Sequence, residues 1–293
     1  MAIGPDNRLY VSHGTQVNIL DKTTGDSVGI IENTTGVHGI AFNKELKRGY
    51  TSNGRLNNVT VFDLPTRAVI TQINTGENPD AILFEPYSGK IITCNGRSNN
   101  LSVIDPASNK VIETIPVGGK PETAVSNSNG LLYVNVEDKS EVAVVDTKNF
   151  TVLHHWSVSP GEEPTGLAFD KATNRLFAGC GNKLLIVLNA SDGKVVEKIN
   201  IGDGCDGVAF DGGTKTVFAS NGEGNLSVIS EKSANKFENI ATIPTHRGAR
   251  TITVDPSTHL VYLPTAEFEP GDTPNGRPRM IPGTFQVLVI GKK

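Results

Sequence analysis

The feature that most limits what this chain can fold into is a repeat of about 42 residues that runs through its whole length. One copy reads Gly39-Ile-Ala-Phe-Asn43, Arg48-Gly-Tyr-Thr-Ser-Asn-Gly54, Asn58-Val-Thr-Val-Phe-Asp63 and Ala68-Val-Ile-Thr-Gln-Ile73. These are four short runs rich in β-branched and aromatic residues, parted by turn formers, and they read as strands A to D. The B run recurs seven times, at Arg8–Gly14, Arg48–Gly54, Lys90–Gly96, Leu131–Glu137, Arg175–Gly181, Thr216–Gly222 and Leu260–Ala266. The C run recurs with it, ending at Asp21, Asp63, Asp105, Asp146, Asn189, Ser230 and Gly291; the spacing is 41 to 43 residues until a final gap of 61.

Helical repeats would show a 3.6-residue period, whereas four strands per unit at this length make a propeller blade. The predicted fold is therefore all-β: one domain over residues 1–293, a seven-bladed β-propeller of four-stranded antiparallel blades. The ends depart from the pattern. Met1–Gly4 supplies only the tail of a first A strand, and too few residues follow Gly291 for a seventh D strand. The expectation is a clipped first A strand and a missing last D strand, as in a truncated product whose parent carries an upstream strand and an export signal. The Asp that closes most C runs is expected to cap the turn into strand D.

Composition removes several classes of function. A net charge of −4 and the lack of any Lys/Arg run argue against nucleic acid as a partner. No apolar stretch approaches the roughly 20 residues a membrane span needs, and no basic and apolar leader follows Met1, so the chain reads as soluble with no signal peptide of its own. Cys94, Cys180 and Cys205 have no CxxC-type spacing; at most one pair, Cys180 with Cys205, could join.

Leu9-Tyr-Val-Ser12, Leu132-Tyr-Val-Asn135 and Val217-Phe-Ala-Ser-Asn-Gly222, with Val103-Ile-Asp105 and Val144-Val-Asp146, resemble the YVTN-repeat (YncE-like) propeller family along the whole chain. The resemblance implies a periplasmic or secreted parent protein and leaves the activity open, since that family is functionally mixed.

In a four-stranded blade the D-to-A and B-to-C connections share a face, so residues just before each A strand should ring the channel mouth. For blades two to seven these are His38, Asp80, Glu122, Thr165, Asp206 and Arg250. Three carboxylates converging on one axis repel one another and resist desolvation, and a cation would compensate them. His38, Asp80, Glu122 and Asp206 are thus candidate ligands of a divalent metal such as Ca, Mn, Zn or Mg. Arg250 could pair with a neighbouring carboxylate or hold an anionic substrate group. The ends of the B strands, His13, Asn53, Asn95, Cys180 and Asn221, form a second tier. His13 stands where other blades carry Asn, and with His246 it is a candidate proton-transfer group. The Pro-rich insertion 267–284 is expected to rise over the same face as a lid.

Two functions follow as expectations: a metal-centred hydrolase of a small ester, lactone or phosphoester, with Arg250, His13 and His246 as catalytic side chains, or a non-catalytic propeller of the cell envelope that binds a small ligand or docks a protein partner. No P-loop, Gly-x-Ser-x-Gly elbow, HExxH, Rossmann or CxxCH pattern is present.

Overall fold

The computed structural model describes residues 1–269 and 279–292. Seven antiparallel sheets follow one another in chain order. Blade one is β1 (Ala2–Ile3), β2 (Arg8–His13), β3 (Gln16–Asp21) and β4 (Ser27–Ile31); blade two is β5 (Val37–Asn43), β6 (Arg48–Asn53), β7 (Asn58–Asp63) and β8 (Val69–Asn74). Blade three is β9 (Pro79–Glu85), β10 (Lys90–Asn95), β11 (Asn100–Asp105) and β12 (Lys110–Pro116); blade four is β13 (Pro121–Ser126), β14 (Leu131–Val136), β15 (Glu141–Asp146) and β16 (Thr151–Ser157). Blade five is β17 (Pro164–Asp170), β18 (Arg175–Cys180), β19 (Leu184–Asn189) and β20 (Val195–Asn200); blade six is β21 (Cys205–Asp211), β22 (Thr216–Asn221), β23 (Asn225–Ser233) and β24 (Lys236–Pro244). Blade seven has three strands among the described residues, β25 (Thr253–Asp255), β26 (Leu260–Thr265) and β27 (Gln286–Ile290). The fold is the predicted seven-bladed propeller, with a two-residue first A strand and, among the described residues, no fourth strand in blade seven.

The repeat encodes its own core. The third residue of strand B is a fully buried aromatic in most blades, namely Tyr10, Tyr50, Tyr133, Phe177 and Tyr262. Each packs among aliphatic residues of two neighbouring blades: Tyr50 lies with Val59 and Val61 of its own blade and Ile82, Ile91 and Ile104 of the next. Burying each such ring stabilises the fold by about 2 kcal/mol. Strand A lines the axis, where adjacent blades come closest. A Cβ added at Gly166 would lie 2.6 Å from the Val208 amide nitrogen, and one at Gly207 would lie 2.9 Å from the Arg250 carbonyl oxygen.

The predicted turn caps are in place. Asp21 accepts the Thr23 and Thr24 amides, Asp63 that of Thr66, Asp105 that of Ser108, and Asp146 those of Lys148 and Asn149. A second set of caps, not foreseen, closes the A-to-B turns with nearly buried acids: Glu85, Asp170, Asp211 and Asp255. Asp255 does more than cap. It pairs with Lys22 of blade one, and with both side chains at most 7% exposed this pair joins the first blade to the last. An apolar seam of Leu9, Val11, Tyr262, Phe285 and Val287 accompanies it.

Among the described residues no helix is long and apolar enough to cross a membrane. The expected lid falls largely on residues 270–278, outside the described residues. Its stem is a short ribbon in which Phe268 bridges Met280 and the Glu269 amide donates to the Arg279 carbonyl at 2.8 Å.

Candidate functional site

The predicted ring stands one step away from its expected place. His38, Asp80, Glu122, Thr165 and Asp206 do not precede their A strands; each is the second residue of one. In all five the register between strands A and B breaks at that point, as between Val37↔Asn53 and Ile40↔Thr51, or between Cys205↔Asn221 and Gly207↔Ser220. The ring residues therefore occupy β-bulges. A bulge adds a residue to one strand and re-aims its side chain. Arg250 is the exception and lies outside β25, as expected.

The neighbouring blade pins this backbone. Ser52 of blade two donates to the carbonyl of Asp80 in blade three, and Asn135 of blade four to that of Thr165 in blade five at 3.1 Å. Thr165 donates to Cys205, beside Asp206, at 2.6 Å, and Ser220 of blade six to the carbonyl of Arg250. Inter-blade hydrogen bonds thus hold the mouth.

Its charges form local pairs. His38 Nδ1 lies 3.4 Å from Asp80 Oδ1, Lys120 Nζ 2.6 Å from Glu122 Oε1, and Arg250 Nε 3.5 Å from Asp206 Oδ2. Lys120 also reaches Glu137. Burial, reinforced by the Asp80 charge, pushes the Glu122 carboxyl up to about 7 despite its lysine. Burial likewise raises Asp206 above the usual carboxylate range; Arg250 opposes this, while Asp80 and Glu137 add to it. The Asp80 and Glu137 charges therefore act on both Glu122 and Asp206, each of which has one cation beside it. Sequence reasoning missed Lys120 and the inward role of Glu137. The signal was there: Lys120 lies two residues before Glu122, on the same side of an extended chain.

Among the described residues no three His, Cys, Asp or Glu side chains come together in metal-ligating geometry. His38 and Asp80 are neighbours, whereas Glu122 and Asp206 each face a cation. The other candidates are placed as follows. His13 stacks on Phe285, with ring centroids 4.1 Å apart, at the seam of blades one and seven. His246 is exposed on the D-to-A loop before Arg250. The Cys180 and Cys205 thiols are free and buried, and burial pushes Cys180 up to about 12 and Cys205 higher, so neither is a ready nucleophile.

The second-tier asparagines serve the fold. Asn53, Asn95 and Asn221 are fully buried and staple strand B to strand C: Asn53 Nδ2 donates to Asn58 and Thr60, Asn95 to Asn100 and Ser102, and Asn221 to Asn225 and Ser227. The staple is complete in blades two and three, where Thr51 and Thr93 donate to the asparagine oxygen at 3.0 Å. Blade six has Ala219 at that place, and Asn221 Oδ1 is left without a partner.

No curated protein matches this sequence. Among solved structures, Kuenenia stuttgartiensis hydrazine synthase shares 20% identity at a TM-score of 0.66, covering 78% of this chain and 73% of that one. A chain of the mitotic checkpoint complex shares 15% at a TM-score of 0.77, covering 88% and 80%. At such identities the likeness speaks for the fold alone. The family described as outer membrane protein assembly factor BamB matches residues 55–265, from the B-to-C turn of blade two to the end of strand B in blade seven. A match over that span takes in most of the circle of blades, and the chain belongs to this family.

Proposed function

We propose that the protein is a non-catalytic binding propeller of the cell envelope, a YVTN-repeat member within its family, whose acidic channel mouth receives a cationic group of its ligand. The observation that carries this reading is the shortage of positive charge at the mouth. Three carboxylates, Glu122, Glu137 and Asp206, have only Lys120 and Arg250 for partners, Asp80 has only the His38 ring, and Glu122 and Asp206 are held above the usual carboxylate range. An incoming guanidinium or ammonium would supply the missing charge and be desolvated little, because Asp80 and Arg250 remain well exposed. The envelope setting rests on the family description, and a protein ligand on the assembly named there.

The test is calorimetry with an arginine-bearing tripeptide and its neutral citrulline counterpart. The arginine peptide should bind with an affinity that falls with salt, and Asp80→Asn with Glu122→Gln should weaken it at least about tenfold, as for a lost charge pair. Equal binding of the two peptides, or binding indifferent to both substitutions, overturns the reading.

A metal-centred hydrolase is the second reading, favoured by the His38–Asp80 pair. His38, Asp80, Glu122 and Asp206 would hold the ion, which would activate water, with Arg250, His13 and His246 near the substrate. It requires Glu122 and Asp206 to release Lys120 and Arg250. Elemental analysis together with a hydrolase panel on wild type, Asp80→Ala and Asp206→Ala tests it: stoichiometric metal and turnover lost in both variants support it, and neither metal nor turnover in the wild type sinks it.

A further inference from the structure

Blades two and five each reach into the blade that follows with an arginine at the first place of strand B. Arg48 Nη1 donates to the Pro106 carbonyl at 2.7 Å and to Asn109 Oδ1 at 3.4 Å. Arg175 donates to the Ala234 carbonyl at 2.7 Å and to Asn235 Oδ1 at 2.8 Å. In both cases the acceptors belong to the C-to-D turn of the next blade. Blade four has Leu131 at that place, and the space its arginine would enter is open. A hollow of about 280 Å³ lies there between two complete blades, with Leu131, Tyr133, His154 and Trp156 of blade four on one side and Asn174 and Ser191 of blade five on the other. It opens among A-to-B and C-to-D turns, on the face opposite the acidic mouth.

The hollow lacks the arginine but keeps its surroundings. The turn carbonyl equivalent to that of Pro106 is Ala190's, which accepts the Tyr133 hydroxyl at 2.9 Å and has a second lone pair. Asn174 donates its amide to Ser191 at 2.7 Å, which leaves the Asn174 carbonyl oxygen as an acceptor. Charge is also left over. The acid that ends strand C faces a basic residue at the first place of strand B in three blades: Arg8 for Asp21, Arg48 for Asp63 and Lys90 for Asp105. In blade four Asp146 faces Leu131 instead. Arg175, next to Asn174, is committed to blade six.

Blade four adds an aromatic wall of its own. Where five other blades carry Ile31, Ile73, Ile115, Ile199 and Ile243, it carries Trp156. The indole is seated over Gly193, where any Cβ would collide with it. Its ring centroid lies 5.9 Å from that of Tyr133 and 6.3 Å from that of His154, the latter ring within 11° of parallel. A guanidinium is planar, weakly hydrated and attracted to such faces.

We infer that the hollow between blades four and five is a binding site for the guanidinium of a small arginine-like ligand. The planar cation stacks on the Trp156 wall, donates to the acceptors of blade five and supplies the charge that Asp146 lacks. This site is separate from the mouth and stands or falls independently of the mouth's ligand.

The probe is Nα-acetyl-arginine amide, with its neutral citrulline counterpart as control, added to the whole protein at about pH 8, above the usual range of His154. Trp156 is the chain's only tryptophan, so its emission reads the site directly. The emission should change saturably with the arginine compound, and the citrulline compound should bind at least about tenfold more weakly. Leu131→Arg places in blade four the residue of blades two and five and should abolish the response, with the fold checked by circular dichroism. Asp146→Asn keeps a turn-capping oxygen and should weaken binding at least about threefold. The combined Asp80→Asn and Glu122→Gln variant should respond as wild type does, which separates this site from the mouth. The comparison of the two compounds uses the unaltered protein and decides the matter even if a variant fails to fold. An absent response, equal binding of the two compounds, a response that survives Leu131→Arg, or one lost with the mouth substitutions overturns the inference.

Discussion

The half-finished staple of blade six offers a test of how the tier beneath the mouth is held. In blade three Thr93 donates to Asn95 Oδ1 at 3.0 Å, and both residues are fully buried. In blade six Ala219 leaves Asn221 Oδ1 buried and unpaired. An orphaned buried acceptor costs about 1–3 kcal/mol, and a made hydrogen bond contributes about 1 kcal/mol net. Ala219→Thr should supply the missing donor. Ala219 pairs with Val208 and Ser227 where Thr93 pairs with the larger Ile82 and Ser102, so the cross-strand neighbours crowd position 219 less. We expect Ala219→Thr to raise stability by about 1 kcal/mol, less any residual crowding. Ala219→Val adds the same bulk with no donor and should fall about 1–2 kcal/mol below the threonine variant. Thr93→Val, which removes a donor at constant volume, should cost about 1–2 kcal/mol for the same reason. Urea unfolding at constant m-value reads all three, and each kcal/mol corresponds to about 2 °C in Tm for a domain of this size. If the valine at position 219 proves as stabilising as the threonine, packing rather than the hydrogen bond governs the site, and the reasoning is refuted.

Glu122 gives a pH signature. Its folded value of about 7 stands above the 4.5 of the free side chain, so the stability it contributes is fully present below 4.5 and lost as pH rises through about 7. Between those limits wild type should lose on the order of 3 kcal/mol that Glu122→Gln does not, visible as converging or crossing Tm curves; parallel curves would deny the shift. The Lys22–Asp255 closure pair behaves oppositely. Burial raises Asp255, but its Lys22, Ser257 and Thr258 partners outweigh it and hold the carboxyl below the usual range, so its stabilisation is present above about pH 4 and fades as pH falls. Asp255→Asn should cost about 3–5 kcal/mol at pH 7 by stranding a buried ammonium, and less when Lys22→Met is added; a cost under 1 kcal/mol in urea unfolding would remove the pair from the closure. Gly207→Ala should lower Tm by several degrees, because its Cβ would meet the Arg250 carbonyl and the Ile252 side chain; an unchanged Tm would mean the axis is loosely packed.

The architecture was legible because the pattern repeats. Seven copies of strand B and seven of strand C fixed blade number, strand order and even the irregular ends, and the turn-capping aspartates were readable from their place after strand C. The ring residues were found by the same alignment, yet their setting was not. A bulge leaves no mark in hydrophobic alternation beyond one displaced residue, so His38, Asp80 and Glu122 read as loop when they are strand. Lys120 was overlooked because only one blade carries a lysine there, and an alignment of repeats is blind to what a single copy adds. The burial of Asn53, Asn95 and Asn221 was masked by Asn-Gly, a pair that reads as a turn. His13 was misleading for a related reason: its partner, Phe285, lies at the far end of the chain.

The bulge at the second residue of five A strands has a consequence for how such a protein changes over time. That residue is released from the in-and-out alternation of its own blade, and at Asp80 and Thr165 its backbone is fastened by the blade beside it. Exchanging its side chain therefore disturbs neither the packing that defines the circle nor the hydrogen bonds that aim the position. The circle of blades provides fixed addresses whose contents are free, so specificity at the mouth can be rewritten one letter at a time while the architecture around it stays constant.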